Sequence, residues 1–222
     1  MSKPNIYRRI VCFFFGLSLC GFGIAICTQA GLGTTPISSL PYVLSFITPL
    51  TLGAWTVVVN AVFIALQIAI LGRDFKKVQL LQMGAVVVFG ACIDLGMHLA
   101  SLLHPGAYAL RILELLVGCA VMSFGIALQA LSDVLYVPGE GLVKSVCKRF
   151  GFDFGFAKVG LDSTLTLCAL ILSLLALGCV QGLREGTLIA ALLVGLLVRF
   201  FIKRLRFLKM RFYSRPPFPG NA

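Results

Sequence analysis

The chain has 222 residues, of which 59% are hydrophobic and only 12% charged, with a mean hydropathy of +1.00. A soluble domain carries about a quarter charged residues, and between Arg9 and Arg73 this chain holds none. That excludes a water-soluble enzyme, a disordered chain and a secreted disulfide scaffold, and leaves an integral membrane protein.

The remaining charge is lopsided, with 19 Lys and Arg against 8 Asp and Glu. The cations sit in short clusters between apolar runs, the pattern of cytoplasmic loops and not of a nucleic-acid surface. Eight cysteines are scattered singly through those runs, with no CxxC pair. They read as small packing residues, so no metal and no cofactor is expected.

In chain order, Lys3, Arg8 and Arg9 precede an apolar run too long for a cleaved signal, which reads as a retained first span. Runs long enough to cross a bilayer lie at 10–29, 52–72, 79–103, 108–130, 159–180 and 187–203. The stretch 34–50 is apolar but is punctuated by Pro36, Pro41 and Pro49. With six spans and both termini cytoplasmic, 17 of the 19 basic residues fall inside. A seventh span at 34–50 would put every later cluster on the wrong side. That stretch therefore reads as a short non-spanning helix near the outer face, with Tyr42 and Trp55 at the outer interface. The basic tail, 206–222, suits anionic lipid headgroups.

Shifting the chain by 102 residues lays Phe22-Gly23-Ile24-Ala25 over Phe124-Gly125-Ile126-Ala127. The same shift lays Pro36 over Pro138, Leu40 over Leu142, Gly53 over Gly155, Asn60 over Asp162 and Gly84 over Gly186. One offset carrying glycines, a proline and a polar position through three spans reads as a duplication. The expected fold is a single all-α membrane domain over residues 1–222. Its six transmembrane helices form two inverted three-helix repeats, 8–103 and 108–205, each with a short Pro-started non-spanning helix. The second such helix, 138–150, carries Glu140, Lys144, Lys148 and Arg149 and cannot cross a bilayer.

Pro36 and Pro138 fit the first turn of their helices, where the missing N–H costs nothing. Each is either a simple chain reversal or a helix break at a gating or binding site, with the positive dipole end pointing inward. Gly139 and Gly141 flank Glu140 and permit close backbone approach. Glu140 suits a helix N-terminus and serves there either as a cap or as part of a site. Asp94 and Asp162 are the carboxylates most deeply placed in apolar runs, where ionised groups face partners or water-filled cavities. Asp94 has His98 one turn away, as a proton-carrying unit or a structural one. Asp162 occupies the position of Asn60 in the other repeat, to bind or couple, or else pairs with Lys158. Asp133 borders the Glu140 segment. Arg111 and Glu114 read as an interfacial ion pair.

The first-span glycines, Gly31-x-Gly33-x-x-Pro36, the run Pro138-Gly139-Glu140-Gly141-Leu142, the Asp162 span and the Gly186-Thr187 opening resemble the bacterial YczE/YyaS/YitT family of membrane proteins. The resemblance covers roughly residues 8–205. It implies a bacterial cytoplasmic membrane and, for some members, an association with secondary-metabolite loci; it names no substrate.

Enzyme signatures are absent: there is no nucleophile elbow, no phosphate loop and no ligand cluster. The expected function is a small secondary transporter or facilitator moving a small organic molecule, with a proton or cation as a coupling partner. A non-transporting membrane protein that assists another complex is the rival. Beyond the lipid bilayer and a small molecule, no nucleic-acid partner is expected, and a homodimer is compatible with the sequence.

Overall fold

The computed structural model describes residues 6–75, 77–102 and 106–206, with the backbone alone at Lys77 and Val78. The described residues form helices and no strand. In order these are α1 (Ile6–Gln29), α2 (Pro36–Ile47), α3 (Leu52–Leu71), α4 (Leu81–Ala100), α5 (Tyr108–Ser132), α6 (Pro138–Phe150), α7 (Phe154–Leu177) and α8 (Glu185–Arg204), with two short 3₁₀ turns between α3 and α4. Six are long and apolar enough to cross a membrane, and α2 is a shorter apolar helix. The basic tail beyond Arg206 lies outside the described residues.

The boundaries follow caps and not charges. The expected fifth span begins at residue 159, whereas α7 begins at Phe154, because the Asp153 carboxylate accepts from the backbone N–H groups of Gly155 and Phe156. Thr51 does the same for α3 through Ala54 N. Gly151, at φ 73°, closes α6 in the left-handed conformation open to glycine.

The centre of the bundle is the antiparallel crossing of α1 and α5. A Cβ on Gly16 would stand 2.7 Å from the Gly125 carbonyl oxygen, and one on Gly118 would stand 3.0 Å from that of Gly23. Only hydrogen fits at these four positions, so the two backbones touch, as in membrane interfaces built on small residues. Toward one end Cys12 Sγ lies 3.8 Å from Leu128 O; toward the other Cys27 Sγ lies 3.7 Å from Cys119 Sγ.

Around this crossing α4 packs on α1, and α8 packs on α5. Gly21 faces Cys92 and Ile93 on the α4 side. On the other side Phe124 and Phe201 meet edge to face at 5.4 Å. The short helices cross over: α2 packs on α7, and α6 packs on α3. The hairpin of α3 and α4 is tight, with a Cβ on Gly90 only 2.8 Å from the Gly53 carbonyl oxygen. No comparable contact joins α7 to α8. Leucines such as Leu175 and Leu192, 83% and 73% exposed, cover the outside of these two helices, a surface suited to lipid tails.

Candidate functional site

The first turns of α2 and α6 abut. A Cβ on Gly139 would stand 2.6 Å from Ile37 Cδ1 and 3.8 Å from Phe63 Cε2, so the two short helices meet at their N-termini against α3. Neither N-terminus has a side-chain cap: Thr35 before α2 and Val137 before α6 leave the first N–H groups without one.

The surroundings of the two N-termini differ in chemistry. Around α2 the polar groups are short hydroxyls that satisfy one another. Thr28 Oγ1 donates to Ile24 O at 2.8 Å and lies 2.9 Å from Thr34 Oγ1. Thr35 Oγ1 donates to Ser38 Oγ at 3.1 Å, and Ser39 Oγ donates to Pro36 O at 2.6 Å.

Around α6 the polar groups are long carboxamides with unused capacity. Gln67, on α3, is fully buried; its Nε2 donates to Pro138 O at 3.0 Å, while its Oε1 has no hydrogen-bond partner. Gly141 leaves room for it, since a Cβ there would stand 2.7 Å from that Oε1. Gln82, at the start of α4, is 1% exposed and its Oε1 is also unpaired. It lines a cavity of about 10 Å³ with Phe13, Leu17, Phe89 and Pro138, room for about one water. Gln129 and Glu140 both lie near the Cys20 thiol. A buried carboxamide oxygen without a donor is costly in a folded protein, of order 1–3 kcal/mol. Such groups gathered at a helix N-terminus offer acceptors and donors to a polar guest.

The residues singled out by sequence separate into two groups. Pro36, Pro138, Gly139, Gly141 and Glu140 all come to this junction. Asn60 is buried two turns before Gln67 on the same face of α3; its Nδ2 donates to Thr56 O at 2.8 Å and its Oδ1 is unpaired.

Asp94, Asp162 and Asp133 already hold partners elsewhere. Asp94 anchors the start of α3, accepting from Gly53 N at 2.8 Å and from Thr51 Oγ1 at 2.7 Å. His98 is exposed, and no hydrogen bond or ion pair joins it to Asp94 among the described residues. Asp162 accepts from Lys158 Nζ at 2.5 Å, one turn away on α7. Asp133 is the left-handed residue that closes α5, and Arg9 holds it, with Nη2 donating to its carbonyl oxygen and lying 3.8 Å from Oδ2. Glu114 keeps both carboxylate oxygens buried without a hydrogen-bond partner.

Gln67, Gln82 and Gln129 were not singled out by sequence. The available signal was a long carboxamide inside an apolar span, where an unpaired polar group is expensive.

Six apolar helices around a glycine-lined crossing, with a second short-helix layer, define a multi-span membrane protein. Residues 7–203 match the model of a family of unknown function, DUF6198, and the chain belongs to that family. It is similar to an uncharacterized protein of Haemophilus influenzae, 27% identical over 197 residues, which covers 88% of this chain and 84% of that protein. It is also similar to the uncharacterized membrane protein YczE of Bacillus subtilis, 24% identical over 200 residues, covering 89% of this chain and 87% of that one. The resemblance read from the sequence motifs is thereby borne out. No solved structure matches the chain.

Proposed function

We propose that the chain is a small secondary transporter or facilitator, built as two inverted three-span repeats, that moves a small polar organic molecule across the bacterial cytoplasmic membrane. The observation that carries this reading is the meeting of two uncapped helix N-termini beside buried carboxamides with unpaired oxygens. Paired half-helix termini near the midplane are a recurring way of building a transport site.

The repeat is supported by the helix starts. α2 and α6, and α3 and α7, begin 102 residues apart, at 36 and 138 and at 52 and 154. It is supported also by reciprocal packing: Gly16 meets Gly125 as Gly118 meets Gly23, α4 lies on α1 as α8 lies on α5, and the short helices exchange flanks. Ile37 and Gly139, which touch, are themselves equivalent under this offset, as residues on a two-fold axis would be.

The substrate class follows from the donors and acceptors. Carboxamides serve neutral polar groups, the N-termini serve a partial negative charge, and Glu140 serves a cationic one; a neutral, zwitterionic or cationic molecule fits, and a strongly anionic one does not. Glu140 is the carboxylate placed to carry a coupling proton, because Asp94 and Asp162 are engaged elsewhere. The cavity beside Gln82 has room for about one water, so admitting an organic molecule there requires the two short helices to move apart. No step of covalent chemistry is assigned. An orientation with both termini in the cytoplasm is supported by the charge distribution, since it keeps 17 of the 19 basic residues on the inner side.

The small size of the cavity beside Gln82, about 10 Å³, favours a second reading, that of a membrane accessory protein whose interior polar groups are helix glue. A thermal-shift screen of the purified chain against a panel of metabolites, followed by uptake into liposomes, separates the two. A stabilising ligand that loses its effect in Glu140→Gln and is taken up by vesicles supports transport; a panel without a hit, together with inert vesicles, leaves the accessory role.

A further inference from the structure

Arg9 lies near the start of α1, the first span of the first half. Its side chain is 12% exposed and reaches the end of α5, where Nε donates to Ser132 O at 2.7 Å and Nη2 donates to Asp133 O. Asp133 is the residue that closes α5, in the left-handed conformation at φ 48° and the only non-glycine residue with positive φ among those described.

The offset of 102 residues carries Arg9 onto Arg111 and Asp133 back onto Gly31. Arg111 lies near the start of α5, and its Nη1 stands 3.9 Å from where a Cβ on Gly31 would be. Gly31 follows the end of α1 and is left-handed too, at φ 69°. Each half thus sends an arginine from the start of its first span toward the left-handed residue at the end of the other half's first span: Arg9 bonds there, and Arg111 comes close. Along α1 the two ends are 22 residues apart, about 33 Å at the helical rise. The arginines therefore sit at opposite ends of the α1–α5 crossing. Asp133, which Arg9 holds, leads directly into α6, and Gly31, which Arg111 approaches, leads directly into α2.

The geometry points to Arg9 and Arg111 as a matched pair of latches, one at each membrane face, each fixing the linker that suspends one short helix. This rests on the inverted-repeat transport reading above and goes beyond it by assigning the gates. Releasing Arg9 frees the Ser132–Val137 linker and lets α6 swing, opening the junction toward the side of the N-terminus. Releasing Arg111 frees the Gly31–Thr35 linker and α2, opening it toward the other side.

The two ends are not equally fastened. At the Gly31 end Arg184 Nη1 also lies 3.4 Å from Gly31 O, and Gly186 N donates to Leu32 O at 2.8 Å. The Asp133 end has Arg9, with Lys144 over the Tyr136 ring at 3.1 Å. Backbone hydrogen bonding ties the first linker to α8 and has no counterpart at the second among the described residues. The Arg9 end is therefore the one that opens more readily.

Hydrogen–deuterium exchange of the full chain in lipid nanodiscs, without added ligand, tests the pair. In Arg9→Gln, exchange over 130–137 rises about tenfold or more, the scale of losing charge-assisted hydrogen bonds, while exchange over 29–36 falls, because a population opened at one end is closed at the other. Arg111→Gln gives the mirror pattern with a smaller rise, since Arg184 and Gly186 remain. Substitutions that loosen only their own end mark plain helix caps and overturn the latches, as do substitutions that loosen both ends together. If Arg9→Gln does not assemble, Arg9→Lys carries the same test, with the same opposite signs and a smaller amplitude. Because no substrate is used, reciprocal exchange with inert vesicles would retire transport and keep the latches, whereas uptake without reciprocity would do the reverse.

Discussion

Ile37 touches Gly139, and the two occupy the same place, second in a Pro-started helix, in the two halves of the chain. A side chain from one short helix fills the space that the absent side chain of the other leaves. The junction therefore closes with little void, and glycine at one of the pair is what allows the termini to meet.

Replacing Gly139 tests how hard that junction is. Gly139→Ala displaces Ile37 Cδ1, the free end of a side chain, and should cost about 1 kcal/mol or less. Gly118→Ala places its Cβ 2.7 Å from the Cys27 backbone nitrogen, which cannot move aside, and should cost about 1–3 kcal/mol or more. Gly195, with nothing within 4 Å of a new Cβ, is the control; its change to Ala should be neutral or stabilising by about 0.5–1 kcal/mol. Melting temperatures of the three in detergent rank them.

Gln67→Leu keeps the volume and removes both the bond to Pro138 and the unpaired oxygen. The two effects oppose one another, so stability should change by no more than about 1 kcal/mol. Ligand-induced stabilisation should vanish. A large melting loss with ligand response retained would make Gln67 a structural tie and move the site elsewhere.

Asp94→Ala should lower stability by about 1–3 kcal/mol, because Gly53 N and Thr51 Oγ1 both lose their acceptor at the start of α3. His98→Ala should leave the stability within about 0.5 kcal/mol of wild type, as expected of an exposed residue. Equal losses in the two variants would restore the Asp94–His98 pair.

Asp162 and Lys158 form a pair on one helix, their side chains 26% and 32% exposed. Pairs of this spacing and exposure contribute about 0.3–0.5 kcal/mol. Asp162→Asn and Lys158→Gln should each change stability by no more than that and leave the ligand response intact. Loss of the ligand response in Asp162→Asn alone would return Asp162 to the site.

Reporter fusions check the topology. Those placed after Lys77 and Arg149 should read as cytoplasmic, and those after Gly33 and Gly106 as external. A cytoplasmic reading after Gly106 would break both the six-span count and the inversion.

Much of the architecture was legible because it is written locally. Span length and hydropathy mark six helices, Pro36 and Pro138 mark the starts of two short ones, and the charges of α6 keep it out of the bilayer core. Distant pairings were harder. Asp94 was read as a group facing a site, but its partner is the α3 N-terminus, brought close by the Gly53–Gly90 approach, which no local pattern announces. Gln67 was overlooked because its partner is the carbonyl of Pro138, 71 residues away. Arg9 and Arg111 lay on the same offset as the glycines and could have been found by it. Their matched placement emerges only once the left-handed turns at Asp133 and Gly31 are seen.

The exchange of flanks has a consequence for synthesis. Since α6 lies on α3 and α2 lies on α7 as well as on α3, the first half emerges from the ribosome with the Gln67 face of α3 unfilled and with α2 resting on α3 but without α7. Neither half is a finished unit, and the nascent chain must hold an incomplete polar seam in the membrane until its second half arrives. The two halves made as separate polypeptides should survive degradation only when produced together, because each supplies a face on which the other's short helix packs.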